Sequence, residues 1–301
     1  MIVRDPPSPL LLFLVMQGSV VPKIIGNIGT VTVLSVGVLL VDHHVIELPR
    51  IPIAAMGVIG VALSLFLGFR NNAAYDRWWE ARRLWGALIA DIRALAYQAR
   101  IFLATEDDRK TLLSYAVAFA HLHRGALRKT EVQADITDWV GAQWSESIVT
   151  KNNPADAALR SMADQMGQLA QADKLSGFGQ MTIMDTLSSL ARSQAGCERI
   201  ATTPLPFVYS LLVRRTTYLY CWLLPFALIG SANWFTPVCA AVVSYAFFGL
   251  QEVTRELEAP FHNVQNGLPL DAMCRTIEIS VSETLDIPAP VPLMAKNHFL
   301  S

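Results

Sequence analysis

Phe66-Leu67-Gly68-Phe69-Arg70-Asn71-Asn72-Ala73-Ala74-Tyr75-Asp76-Arg77-Trp78-Trp79-Glu80-Ala81-Arg82 decides the architecture of this chain. The stretch continues an uncharged apolar run, Ile51 to Phe69, that is long enough to cross hydrocarbon as a helix. At Arg70 the run ends in a dense belt of Arg, Asn, Tyr and Trp, the residue types that anchor a helix at a membrane–water interface. A bilayer helix, its anchors and a charged extension are thus written in one segment. Such a segment predicts a membrane protein whose spanning helix runs straight on into a folded soluble part.

Composition agrees. Of 301 residues, 52% are hydrophobic and only 16% charged, where soluble domains run near a quarter charged. The mean hydropathy is +0.36. Charge is nearly absent from 24–41, 51–69 and 216–250 and ordinary elsewhere. The net charge of -1 gives no sign of a nucleic-acid partner. The four cysteines, Cys197, Cys221, Cys239 and Cys274, show no metal-binding spacing and read as small buried hydrophobes.

The spans follow from these runs. Ile24 to Val41 is the first and Ile51 to Phe69 the second, with Pro52 suited to a first helical turn. Thr216 to Leu250 carries no charge and is too long for one crossing. Gly230-Ser231-Ala232-Asn233 divides it into a hairpin of two spans, about 206–229 and 234–256. Between them, apolar spacing predicts helices over Arg77–Ala104 (through Leu84, Leu88, Ile92 and Leu95), Lys110–Leu127, Ala155–Leu169 and Met181–Ile200. Gly177 and Gly179 are among the breaks between them. The expected class is all-α, a four-span membrane protein with a helical cytoplasmic region. Its parts are an N-terminal cytoplasmic or interfacial segment 1–23, two spans in 24–75, a helical region 76–203, two spans in 204–256 and a C-terminal cytoplasmic segment 257–301. Arg4, the apolar Leu10–Met16 and Gly18-Ser19 have the outline of a signal peptide, but Asp5, the prolines Pro6, Pro7 and Pro9 and a poor cleavage pattern argue against one and for a short interfacial segment. Arg70, Arg77, Arg82, Arg83, Arg214 and Arg215 flank one side of the spans and Arg50 alone the other. Both termini are therefore expected in the cytoplasm, with the protein in the inner membrane.

No Walker loop, GxSxG or HExxH occurs, and the spans lack the carboxylates of pumps and intramembrane hydrolases. No enzyme activity, cofactor or metal is expected. Val61, Leu65 and Phe69 fall four apart and form one apolar stripe, with Gly57, Gly60, Ala62 and Gly68 around them. By pattern alone this reads first as helix packing, since apolar stripes are common to all spans; the alternative is a pore neck that gates by dewetting. Asn71 and Asn72 have two roles open, hydrating ions or hydrogen-bonding between helices. His121 and His123 lack the i, i+4 spacing of a metal pair, and His43 and His44 read as a solvated loop or a pH-sensitive mouth. Trp78, Trp79 and Trp85 read as interface anchors and packing.

The segment 66–82, Thr203-Pro204-Leu205-Pro206-Phe207-Val208-Tyr209, and Pro260-Phe261 with Asn266-Gly267-Leu268-Pro269-Leu270-Asp271 together resemble the bestrophin family, in particular its bacterial branch. The resemblance covers about 10–285. It implies a homopentamer in the lipid bilayer around one central pore, passing small monovalent ions, with chloride or another anion the default and a cation channel the alternative. By register it assigns Val61, Leu65 and Phe69 to an apolar neck. A second, cytoplasmic aperture falls among Gln180, Met181 and Ile183, with Met181 preferred. Calcium-gated members carry an acidic clasp after the last span. Here that place reads Phe261-His262-Asn263-Val264-Gln265-Asn266-Gly267-Leu268, without a carboxylate, so no calcium gating is expected. A solute carrier is the competing class, but internal repeats and broken spans are not apparent.

Overall fold

The computed structural model describes residues 1–4, 15–16 and 18–301. The interfacial segment expected around Leu10–Met16 falls mostly outside the described residues. Among those described, the chain forms ten α-helices and no strand beyond isolated bridges. They are α1 (Val21–His44), α2 (Ile53–Phe102), α3 (Glu106–Arg128), α4 (Gln133–Val140), α5 (Ala142–Val149), α6 (Pro154–Gln171), α7 (Gly177–Thr202), α8 (Phe207–Ala232), α9 (Thr236–Leu257) and α10 (Leu270–Thr284). They pack as two units. One comprises Arg4–Trp78 and Pro204–Ala259, the other Met1–Val3, Trp79–Thr203 and Pro260–Ser301.

Among the described residues, three helical segments are long and apolar enough to cross a membrane: Val21–His44, Ile53–Phe102, of which the part up to Trp78 belongs to the first unit, and Phe207–Leu257. The last is broken by a 3-10 turn, Asn233–Phe235, into α8 and α9. The sequence places this break from Gly230, but the helix continues to Ala232. Asn233 ends it at φ +45°, a left-handed conformation that Asn tolerates, and Pro237 sits in the first turn of α9. Buried Ile24 and Val31 (α1), Met56, Leu63 and Leu67 (α2), Tyr220 and Leu224 (α8), and Ala240 and Phe248 (α9) share one core. Several hydroxyls within the helices are satisfied locally. Ser35 donates to Val31 O at 2.7 Å, Ser64 to Gly60 O at 2.8 Å and Thr217 to Val213 O at 2.9 Å. These need no polar partner from lipid.

The second unit is built around α3, whose buried positions include Leu112, Leu113, Ala116, Val117, Phe119 and Ala120. A helix apolar on nearly every side must be enclosed, and α4, α6, α7 and α10 all contact it. Caps set the starts. Thr105 Oγ1 accepts from Asp108 N at 3.2 Å, Asn153 Oδ1 from Asp156 N at 3.1 Å, and Ser176 Oγ from Gly179 N at 3.2 Å. The Ser176 cap explains why α7 begins four residues before the expected Met181. Gly177 and Gly179 lie inside the first turn rather than breaking it. The short helices α4 and α5 escape the apolar pattern altogether. The segment after α10 is tied down, with Ser301 O accepting from Ala272 N at 3.0 Å and Val3 N donating to His298 O at 2.8 Å.

The expected span 51–69 and the expected helix from Arg77 are one uninterrupted helix of 50 residues, α2. Its buried positions Met56, Gly60, Leu63, Leu67, Arg70, Ala74, Ala81, Trp85, Leu88, Ile92, Leu95 and Ala99 recur at alternating steps of about three and four, the seam of a long packed helix.

Candidate functional site

The face of α2 opposite that seam carries Val61, Leu65 and Phe69. Their exposures in the subunit are 72%, 56% and 57%. At 100° per residue the midpoints of this stripe and of the buried seam through Met56, Leu63, Leu67, Arg70 and Ala74 lie about 180° apart. The stripe is flanked on one side by Gly57, Ser64 and Gly68 and on the other by Ala55, Ala62 and Ala73, each group roughly 60–80° away. These small residues fall into two kinds. A Cβ on Gly57 or Gly68 would meet nothing within 4 Å, whereas one on Gly60 would stand 2.7 Å from the Tyr220 hydroxyl. Gly60 serves packing within the subunit. Gly57 and Gly68 leave an open surface on which a neighbouring helix can approach closely.

Below Phe69 the two asparagines separate. Asn71 Oδ1 accepts from Thr254 Oγ1 at 3.3 Å and is tied to α9. Asn72 is exposed and continues the stripe, followed by exposed Asp76. The same junction is fixed by ion pairs between residues remote in sequence. Arg70, 6% exposed, donates from Nε to Glu258 Oε1 at 2.8 Å, and Arg77 Nε donates to the Glu258 carbonyl at 2.8 Å. Lys23 pairs with Glu256, and with Glu252 at 3.6 Å. The starts of α1 and α9's end are thereby joined beside the polar turn of α2.

On α7, Met181 is 70% exposed and Gln180 is also exposed. Ile183 is 0% exposed, and its side chain belongs to the subunit core. It is therefore removed from the aperture candidates, because a fully enclosed side chain cannot border an ion path. Phe178 and Met184 join Met181 on the exposed face, a grouping that i, i+3 spacing on a longer α7 makes natural.

Other residues take structural roles. Trp79 stays exposed, but Trp85 is fully buried and stacks on His123 at 5.5 Å, so it is a core side chain and not an interface anchor. His43 lies in the last turn of α1, not in a free loop. Its Nε2 is 2.7 Å from Asn233 Oδ1 and its ring stacks on Trp234. His121 Nε2 meets Glu278 Oε1 at 2.7 Å, and Arg275 Nε takes Glu278 Oε2 at 2.9 Å. Burial pushes the Cys197 and Cys274 thiols up to about 12, consistent with inert packing.

His123 is wholly enclosed, both ring nitrogens lack a partner among the described residues, and burial pushes it down to about 3. Its neutral form is favoured in the fold, so stability is complete above the ordinary value of 6.5 and declines as pH falls below it. His123→Phe should stabilise the protein by about 1 kcal/mol at neutral pH, because no polar atom is then stranded. The variant should also escape the loss of about 2 kcal/mol expected of the parent between pH 7 and 5. Thermal melts at the two pH values check both effects.

Asp271, three residues beyond the 261–268 turn, is already engaged. Its Oδ1 accepts from Arg124 at 3.0 Å and its Oδ2 from Arg128 at 2.7 Å. Burial alone would raise its carboxyl, but Arg128, Ser301 and Arg124 hold it below the usual range. Among the described residues, no group of three or more His, Cys, Asp or Glu gathers in metal-binding geometry.

Comparison with known proteins places this geometry. A family model described as bacterial/fungal bestrophin protein matches residues 1–283. A voltage-dependent anion channel-forming protein of Mesorhizobium japonicum is 44% identical over all of this chain and 97% of its own length. The voltage-dependent anion channel-forming protein YneE of Escherichia coli is 35% identical over 97% of both chains. The crystal structure of a bacterial bestrophin homologue from Klebsiella pneumoniae superposes with a TM-score of 0.84 at 36% identity, covering 88% of this chain and 99% of that one. The chain is a membrane protein and belongs to the bacterial/fungal bestrophin family.

Proposed function

We propose that the protein is an anion channel that assembles as a homopentamer, with α2 of each subunit lining a central pore. The observation that carries this reading is the exposed apolar stripe of Val61, Leu65 and Phe69, set opposite the buried seam and bordered by small residues. In a five-membered ring, the direction from a helix to either neighbour lies about 54° from the direction to the axis. The glycine and alanine flanks lie close to that angle, so α2 helices can close around the stripe while its side chains point to the axis. Three apolar rings then form a neck that passes ions only when wetted.

Asn72 extends the polar lining beyond the neck, and Met181 is the preferred ring for a second constriction, with Gln180 beside it. The protein sits in the inner membrane with both termini in the cytoplasm, a reading supported by the arginines at one end of the spans. Anion conduction is supported by the names of the relatives. A cation channel is favoured instead by one observation, exposed Asp76 on the continuation of the stripe. Single-channel recording of purified protein under a KCl gradient tests the proposal. Unitary steps with a reversal potential near the chloride equilibrium value are expected. Reversal near the potassium value would establish the cation reading. Slow saturable uptake without unitary steps would replace the channel with a carrier.

A further inference from the structure

Within the first unit, a cavity of about 270 Å³ opens at the end of the spans where α1 and α8 begin and α9 ends. Four cations line it, Lys23, Arg70, Arg214 and Arg255, against one carboxylate, Glu252. Three of the four are held by acids at the same end of the bundle. Lys23 is held by Glu252 and Glu256, Arg70 by Glu258, and Arg255 by Glu252 at 2.9 Å. Arg214 has no ion pair among the described residues. Asn27, Tyr218 and Gln251 also face the cavity, and their side chains make no hydrogen bond among the described residues. The lining cations outnumber the lone lining carboxylate, and Arg214 with the three polar side chains is left to bind an added anion.

A second, apolar groove of about 610 Å³ shares Arg214 and Tyr218 with the cavity and runs along α8 past Leu219 to Trp222. Arg214 and Trp222 are eight positions apart, about 12 Å of helix rise. A polar anionic head in the cavity and a hydrocarbon chain in the groove would be joined across Tyr218. A soluble phosphate would fill the first and leave the second empty.

We propose that this cavity and groove form one binding site for an anionic phospholipid. The phosphate lies among Arg214, Arg255, Arg70 and Lys23, and an acyl chain lies along Leu219 and Trp222. Basic pockets between spanning helices favour such headgroups because the anion is held by several cations in a partly desolvated place. Arg214 is the discriminating cation, since it lines both the cavity and the groove and makes no ion pair among the described residues, whereas Arg215 borders the groove alone. The site lies apart from the apolar stripe of α2 and does not depend on the pore reading.

The test is quenching of Trp222 fluorescence in the full-length protein by phospholipids brominated on the acyl chain. The chain has seven tryptophans, so the signal of interest is the difference between the parent and Trp222→Phe. Brominated phosphatidylglycerol should compete for the site about fivefold more strongly than brominated phosphatidylcholine, the advantage of one well-placed cation. The preference should vanish in Arg214→Gln and shrink in Arg255→Gln, and persist in Lys174→Gln, a change on an exposed turn elsewhere. Arg214 is exposed and makes no ion pair among the described residues, so Arg214→Gln is expected to fold as the parent does. Equal quenching by the two lipids would overturn the proposal. Loss of the preference on adding millimolar inorganic phosphate would also overturn it, by assigning the cavity to a soluble anion.

Discussion

Replacing Val61, Leu65 and Phe69 together by Ala should raise unitary conductance severalfold and leave the folded subunit intact. All three side chains project from the subunit, so truncation opens no cavity in its core. In the proposed ring each removed side chain is removed five times, which widens the neck and lowers the cost of wetting it. Leu63 and Leu67 supply the contrast. They sit on the same helix within a few residues, but they are buried in the core shared with α1, α8 and α9. Either changed to Ala should cost about 2–5 kcal/mol of stability without changing the unitary current of channels that assemble. Recording and thermal denaturation on the same preparations separate the two faces of α2. Conductance unchanged in the triple variant would remove the stripe from the ion path.

Asp271→Ala should be among the most damaging single changes in the second unit. The carboxylate is the common partner of Arg124 and Arg128, whose side chains are 11% and 6% exposed. Arg128 also donates to the carbonyls of Phe261 and Leu268, so Asp271 helps hold the turn that leads into α10. Without it two cations remain largely buried, one of them short of its only carboxylate among the described residues. Breaking one side of such a cluster costs about 3 kcal/mol, or roughly 10 °C in melting temperature for a domain of this size. The pH dependence follows from the sign of the shift. The carboxyl is held below its ordinary value of 3.8, so its contribution is complete above that value and is lost as pH falls through the lowered one. Asp271→Asn should therefore melt lower than the parent at pH 7 and approach it in strong acid. Parallel melting curves for the two proteins across that range would show that the arginines do not depend on this carboxylate.

The course of α2 was legible because apolar run, interface belt and amphipathic extension are contiguous in the sequence. The stripe was legible for the same reason, since residues four apart on one helix need no tertiary information. What the sequence hides is which way a side chain faces when several neighbours are alike. Ile183 and Met181 are both apolar and two apart, and only the packing of α7 sends one into the core and the other outward. Asn71 and Asn72 are identical, yet a single helical step gives one of them Thr254. Trp85 looks like a third member of a membrane-interface cluster until α3 supplies His123, itself stacked on Phe119, against it. The junction of Lys23, Arg70 and the three glutamates of α9's end was beyond reach, because Arg70 and Glu258 are 188 residues apart. The hairpin break shifted from Gly230 to Asn233 because glycine is tolerated inside apolar helices packed on neighbours. A left-handed residue such as Asn233 is not, and Pro237 starts the next helix.

The claim at the centre of this account is that the stripe on α2 borders the ion path. Leu65→Cys, recorded in a planar bilayer before and after a charged thiol-specific reagent, tests it most directly. The four native cysteines make the parent protein the control, and three of them are buried. Modification of the new thiol should block or steeply alter the unitary current, while the parent is unaffected. A thiol shown by mass to be fully modified, with the current unchanged, would contradict it and return Val61, Leu65 and Phe69 to the surface of the bundle.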